Sequence, residues 1–329
     1  MDIITALSCN LLSPAILFFV LGVIAGKAKV DIHFSDQLER YLSLYLMIAV
    51  GLKGGVAIAN ISDPCLLQRN IIFTFLVSML LGFLIPIFGV LLLRLTTQVD
   101  KMTAIALAAH YGSISIITFT SAISFLKVQG VSYQGYMVAL AALMEIPGII
   151  AAILLMRLYK IHASRDVLSD RPLIKEIASN TAVFFLLGGL GVGYLTGAQG
   201  MEKLGGVFVT PFQGMLALFL LSMGVKVARK LSPLKGFTLP LVLFGVYMPL
   251  IACIIGLLIS KVLEHDLGTA TLFMVLCASA SYIAVPGAMK MVLPEAQESI
   301  YLTIALVITF PFNIVVGIPC YYSLAALVL

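Results

Sequence analysis

Two segments of this chain hold the residues best suited to chemistry. The first runs His110-Tyr-Gly112-Ser113-Ile-Ser115-Ile-Ile-Thr118-Phe-Thr120-Ser121, and the second Ala278-Ser279-Ala-Ser281-Tyr282-Ile-Ala-Val-Pro286-Gly287. Each crowds small and hydroxyl residues into the middle of a long apolar stretch. Pro286 removes a backbone donor and clashes with the preceding turn, while Gly112 and Gly287 lower the cost of leaving helical geometry. Both segments therefore read as helices interrupted halfway. An interruption creates a new helix N-terminus whose N–H groups lack intrahelical partners and carry partial positive charge. Two such ends facing each other would cradle a small anion without any Lys or Arg, with Ser hydroxyls completing the hydrogen bonds. Each end contributes about 0.3–1 kcal/mol when exposed and up to about 2 kcal/mol when partly buried, modest enough to allow release. The competing reading is packing, since small and hydroxyl residues also line helix contacts in membranes. The matched placement of the two segments favours a site.

Other polar residues sit in apolar surroundings. Glu145, in Leu143-Met-Glu145-Ile-Pro147, is an intramembrane acid and so a functional candidate, with helix capping ahead of Pro147 as the plainer alternative. Asn313, in Thr309-Phe-Pro311-Phe-Asn313, stands near the equivalent place in the second half. Hard cations prefer oxygen ligands, so Glu145, Asn313, the hydroxyls of Ser115 and Thr118 and unwound carbonyls form a candidate Na⁺ set. His110 lies three residues before Ser113, a weak base–nucleophile spacing, and reads first as a structural group, with a proton relay as the lesser alternative. Lys53, in Gly51-Leu-Lys53-Gly54-Gly55, snorkels to the nearby helix end or adds positive potential near an anion, the former being preferred. No Walker sequence is present and the five cysteines show no CxxC pairing, which argues against ATP-driven pumping and against metal or redox chemistry.

These residues need elements to position them. The 329 residues are 61% hydrophobic and only 11% charged, against roughly 25% charged in a globular chain. A chain this apolar is a helical bundle or a closed barrel in a membrane, and continuous apolar runs rather than alternation select helices. A span needs roughly 20 apolar residues. Spans are predicted near residues 10–26, 40–60, 70–95, 102–126, 133–158, 178–198, 207–229, 237–262, 269–291 and 299–327. The start lacks a basic n-region, so the first run is expected to be a retained span rather than a signal peptide.

The second half repeats the first. Tyr45-Leu-Met-Ile-Ala-Val-Gly51-Leu-Lys53 matches Phe219-Leu-Leu-Ser-Met-Gly224-Val-Lys226, and Ala106–Ser113 matches Val275–Ser281, both about 170 residues apart. Five spans per half make the second copy enter from the opposite side, the inverted-repeat plan of secondary transporters, whose binding site lies at mid-membrane. The expected organisation is a first five-helix repeat over 1–158, a cytoplasmic linker over 159–177 and a second, inverted repeat over 178–329. With the linker inside, the cytoplasmic ends collect 15 of the 20 Lys and Arg, the outside collects Arg69, Lys127, Lys203 and Lys261, and Lys53 stays within a span. The positive-inside bias then places both termini outside.

Together, Gly51–Ile58, Tyr111-Gly-Ser-Ile-Ser115, Met144-Glu-Ile-Pro147, Ala278-Ser-Ala-Ser-Tyr-Ile283, Leu293-Pro-Glu-Ala296, Ser299–Thr303 and Thr309–Asn313 resemble the cyanobacterial sodium-dependent bicarbonate transporter family. The resemblance covers nearly the whole chain. It implies an all-α fold of ten spans with two broken helices, core and gate domains, a homotrimer in the bacterial inner membrane, and Na⁺-coupled uptake of bicarbonate held between two half-helix N-termini. It carries anion contacts over to Gly112, Ser113, Ser115, Ser279, Ser281 and Tyr282. Some members are inhibited, through a longer segment between the halves, by a small PII-like signalling protein of the nitrogen-regulator type; the linker here is short. The stretch after Gly112 is richer in Ile than expected, which leaves another small anion open. A bile-acid-type organic-anion symporter and an uncoupled anion channel or sensor are the alternatives.

Overall fold

The computed structural model describes residues 12, 14–30, 32, 34–59, 64–144, 146–159, 181–230, 237–282, 285–286, 289, 293 and 295–329. Glu145, Gly287 and, beyond Tyr159, the expected linker lie outside the described residues. Every regular element among them is helical. The helices are α1 (Pro14–Lys27), α2 (Asp36–Ala59), α3 (Pro64–Thr96), α4 (Lys101–Tyr111), α5 (Ile116–Val128), α6 (Tyr136–Leu143), α7 (Ile146–Leu158), α8 (Thr181–Phe208), α9 (Phe212–Lys230), α10 (Leu239–Val262), α11 (Leu267–Ala278) and α12 (Glu298–Val328). Five stretches, Ile71–Thr96, Lys101–Val128, Phe212–Arg229, Leu239–Val262 and Glu298–Val328, are long and apolar enough to cross a membrane. The chain is a multi-pass membrane protein.

Both expected interruptions are present. Residues 112–115 separate α4 from α5, and α11 ends at Ala278 before non-helical residues 279–282. These helices occupy the centre of the molecule. Of the apolar window in Lys101–Val128, 94% is buried, against 44% in Ile71–Thr96 and Leu239–Val262. Unwound backbone at membrane depth persists only where protein surrounds it or it lines a cavity, and the burial of α4, α5 and α11 meets that condition. Around this centre, α1 packs on α9 and α2 on α8, and these four helices contact one another more than the rest.

Three details depart from the expected spans. Residues 199–206, read as a loop, continue α8 after a kink at Gly197, whose φ of 57° and ψ of −151° suit only glycine. The span near 133–158 is divided, with α6 ending at Leu143 and α7 starting at Ile146. The last span is not a plain α-helix, for π-helical turns occupy Ile304–Thr309 and Asn313–Gly317. Pro311 and Pro319 each lack the N–H that an α-helical ladder would use, which favours such local re-spacing.

The halves also share features beyond the breaks. Gly82-x-x-x-Pro86 in α3 recurs as Gly245-x-x-x-Pro249 in α10, and Asp100-x-x-Thr103 recurs as Asp266-x-x-Thr269. Each Asp caps the broken helix that follows it: Asp100 accepts from Thr103 N at 2.9 Å, and Asp266 from Thr269 N at 2.8 Å. A glutamine from the other half fastens each cap. Gln297 N donates to Thr103 Oγ1 at 2.9 Å and its amide to Asp100 at 3.2 Å; Gln134 N donates to Thr269 Oγ1 at 3.0 Å and its amide to Asp266 at 3.3 Å.

Candidate functional site: where the two breaks cross

The first break is shaped by the absence of side chains. A Cβ on Gly112 would lie 2.1 Å from Pro86 Cγ and 2.4 Å from the Gly82 carbonyl oxygen, distances no Cβ tolerates. On another side, a Cβ on Gly148 would lie 2.7 Å from the Gly112 carbonyl carbon and 2.9 Å from Ser113 N. Gly82, Gly112 and Gly148 thus let α3 and α7 close directly on the unwound backbone. Beyond it, Ser115 caps α5, its hydroxyl accepting from Thr118 N at 3.2 Å and from the Thr118 hydroxyl at 2.9 Å.

The second break is shaped by side-chain hydrogen bonds. Asn313 donates to the Ala278 carbonyl, a terminal acceptor of α11, at 2.9 Å, and accepts from the Tyr321 hydroxyl at 2.7 Å. Ser279 donates to Leu276 O at 3.2 Å. Past the break, Val285 N lies 3.5 Å from the Ser281 hydroxyl, a long contact in the place where Ser115 caps α5.

The two breaks bind each other. Ser115 N donates to the Ser279 hydroxyl at 3.1 Å, and Ser281 N donates to the His110 carbonyl at 2.8 Å. The six residues Gly112, Ser113, Ser115, Ser279, Ser281 and Tyr282 are therefore gathered at one buried crossing, and their groups divide by commitment. The hydroxyls of Ser115 and Ser279 already serve the protein. Among the described residues the Ser113 hydroxyl, 1% exposed, has no hydrogen-bond partner, and the Tyr282 hydroxyl, 8% exposed, lies toward that of Ser115 without forming a regular hydrogen bond. An unmet buried hydroxyl costs about 1–3 kcal/mol, so the crossing keeps hydrogen-bonding capacity that the described residues do not use. Thr120 Oγ1 and His110 Nε2 are buried and unmet as well.

The cation candidates separate too. Thr118 sits at the first turn of α5 beside Ser115. Both faces of the Asn313 amide are engaged, so it braces the second break. Among the described residues, no group of three or more His, Cys, Asp or Glu could hold a metal ion. His110 donates from Nδ1 to Ala106 O at 2.6 Å and packs 4.9 Å from the Tyr301 ring. The Ser113 hydroxyl is not bonded to it, so the contact a hydrolytic serine needs is not made.

Residues 14–326 match the Na⁺-dependent bicarbonate transporter superfamily. The chain belongs to that superfamily. No curated protein matches it. As a transporter-superfamily member, the protein is read as one that moves its substrate rather than converting it. Residues that position the site escaped the sequence reading. The Tyr111 hydroxyl donates to Thr309 at 2.6 Å, and Thr309 to Gly245 O at 2.8 Å. That carbonyl is the one Pro249 cannot engage, four residues on. The recurring Gly-x-x-x-Pro was the available signal.

Proposed function

We propose that this superfamily member is a Na⁺-coupled symporter of bicarbonate. The observation that carries the reading is the crossing itself, two interrupted helices joined through Ser115, Ser279, Ser281 and His110 with the Ser113 and Tyr282 hydroxyls unspent. Bicarbonate accepts hydrogen bonds through three oxygens, which suits these two hydroxyls and the N–H groups at the start of α5. The burial of every site residue favours a small anion over a bile-acid-sized one. The Thr118 hydroxyl, the Glu145 carboxylate and unwound carbonyls supply oxygens to Na⁺, with Ser115 holding Thr118 and Asn313 holding the second break.

The packing supports alternating access as the means. The group α1, α2, α8 and α9 forms one body and the helices bearing the breaks the other, so one can rock against the other about the crossing. In this reading the halves are inverted copies, with the linker inside and the termini outside. One Na⁺ with one bicarbonate moves no net charge, so a membrane potential, worth about 2.3 kcal/mol per charge per 100 mV, gives no drive. Uptake of labelled bicarbonate into proteoliposomes tests the proposal. An inward Na⁺ gradient should drive accumulation and an equal K⁺ gradient should not; uptake indifferent to Na⁺ would overturn it.

A further inference from the structure

The repeat pairs Lys53 with Lys226, yet the two lysines meet opposite surroundings. Lys226 forms an ion pair with Glu39, which is 8% exposed. Lys53 has no such partner among the described residues; its ammonium sits over the Phe212 ring, 3.7 Å from the centroid. A second cation, Lys127, reaches the same seam one turn after Ser124, which is bonded to Gln213 beside Phe212. Three elements converge there. Lys53 comes from α2, Phe212 and Gln213 open α9, and Lys127 lies in the last turn of α5. The Ser124 hydroxyl, one turn before Lys127, donates to Gln213 Oε1 at 3.1 Å, tying α5 to α9 and leaving the Gln213 amide N–H groups available.

Two like charges drawn together are unfavourable unless something negative joins them. Stacking on Phe212 fixes one ammonium in place, and exposed Lys127 leaves the other open to solvent. From this juxtaposition of Lys53, Lys127 and the Gln213 amide at the seam between α2, α5 and α9, we propose a first binding site for a small inorganic oxyanion, at the end of the molecule opposite the Lys226–Glu39 pair. The site collects the anion before it descends to the crossing. Resting on the proposed symport of bicarbonate, this adds an electrostatic funnel at the outer mouth, of the kind that raises association rates by about 10- to 1000-fold.

Thiol chemistry reads the site without transport. Ser124→Cys is reacted with an anionic and a cationic methanethiosulfonate of similar size, against the parent protein with its natural cysteines. The anionic reagent should react about tenfold faster than the cationic one relative to a free thiol, and Lys127→Gln, at an exposed position, and Lys53→Met should each reduce that preference. A preference unchanged by both substitutions overturns the site. In uptake, each lysine variant should raise the KM for bicarbonate several-fold, hold kcat, and flatten the dependence of KM on ionic strength; an unchanged KM also overturns it. Were the parent protein to show no Na⁺-driven uptake while the thiol preference stood, the symport reading would fail and the anion site would survive.

Discussion

The two breaks match in sequence position but not in how they are held. The first is enclosed by backbone, with Gly82, Pro86 and Gly148 pressed against Gly112 and Ser113. The second is suspended by side chains, with Asn313 and Tyr321 spanning from α12 to the Ala278 carbonyl. Steric enclosure has one shape and no slack. A hydrogen-bonded bracket can lengthen or exchange partners at a cost near 1 kcal/mol per bond. On the proposed reading the first break is therefore the fixed wall of the site and the second the adjustable one, and a transporter needs both to hold and to release.

The largest effect should come from filling the wall. Gly112→Ala places a methyl against Pro86 and the Gly82 carbonyl, where backbone must move, at a cost of about 3 kcal/mol or more. Thermal unfolding in detergent should show a large loss of Tm, whereas Gly214→Ala, with nothing within 4 Å, should leave it nearly unchanged. A Gly112→Ala protein as stable as the parent would erase the distinction between the breaks. Next comes Asn313→Ala, which strands the Ala278 carbonyl and the Tyr321 hydroxyl and should cost about 2 kcal/mol. Because the bracket is adjustable, that variant should still fold and should bind the anion weakly.

On the proposed reading a third contrast separates groups that hold the site from groups that face cargo. Ser113→Ala removes a hydroxyl with no partner among the described residues. By relieving an unmet buried hydroxyl it should hold or raise Tm, and it should weaken bicarbonate about tenfold, which corresponds to about 1.4 kcal/mol. Ser279→Ala removes the acceptor for Ser115 N and should lower Tm as well. Parallel melting curves and bicarbonate titrations decide it, and equal Tm losses in the two variants would remove the division.

How much of this was legible without coordinates follows the same line. The breaks were readable because Gly, Ser and Pro in an apolar run are a local signal. Which hydroxyl is spent and which is free was not, because Ser279 and Ser115 lie 164 residues apart and meet only in the fold. The predicted span stops at 198 because Gly197 and Gly200 weaken a helix locally, while in the fold Gly197 alone absorbs the turn and the helix resumes. The latches at Asp100 and Asp266 repeat plainly in sequence, but their meaning depends on Gln297 and Gln134 arriving from the opposite half.

Those latches supply a smaller test of symmetry. Asp100→Ala and Asp266→Ala each remove a cap worth about 1 kcal/mol and a bond to glutamine. Similar Tm losses are expected from the two, and a loss confined to one would show that only one latch bears on stability.

The smallest effect breaks that symmetry by pH. The residue before the second latch is His265, and before the first it is Val99. His265 is buried, with Nε2 2.9 Å from Thr74 Oγ1, Nδ1 3.3 Å from Ser260 Oγ and its ring against Phe273. Burial lowers its pKa to about 4, although the Asp266 carboxylate beside it pulls the other way. The unfolded chain binds that proton near pH 6.5. Stability from neutral His265 is therefore complete above pH 6.5 and is lost as pH falls from there toward 4. Melting curves over this window should fall more steeply for the parent than for His265→Gln, which cannot titrate. Parallel slopes would show that protonation costs the fold nothing there, and the two latches would then be equivalent in charge as well as in geometry.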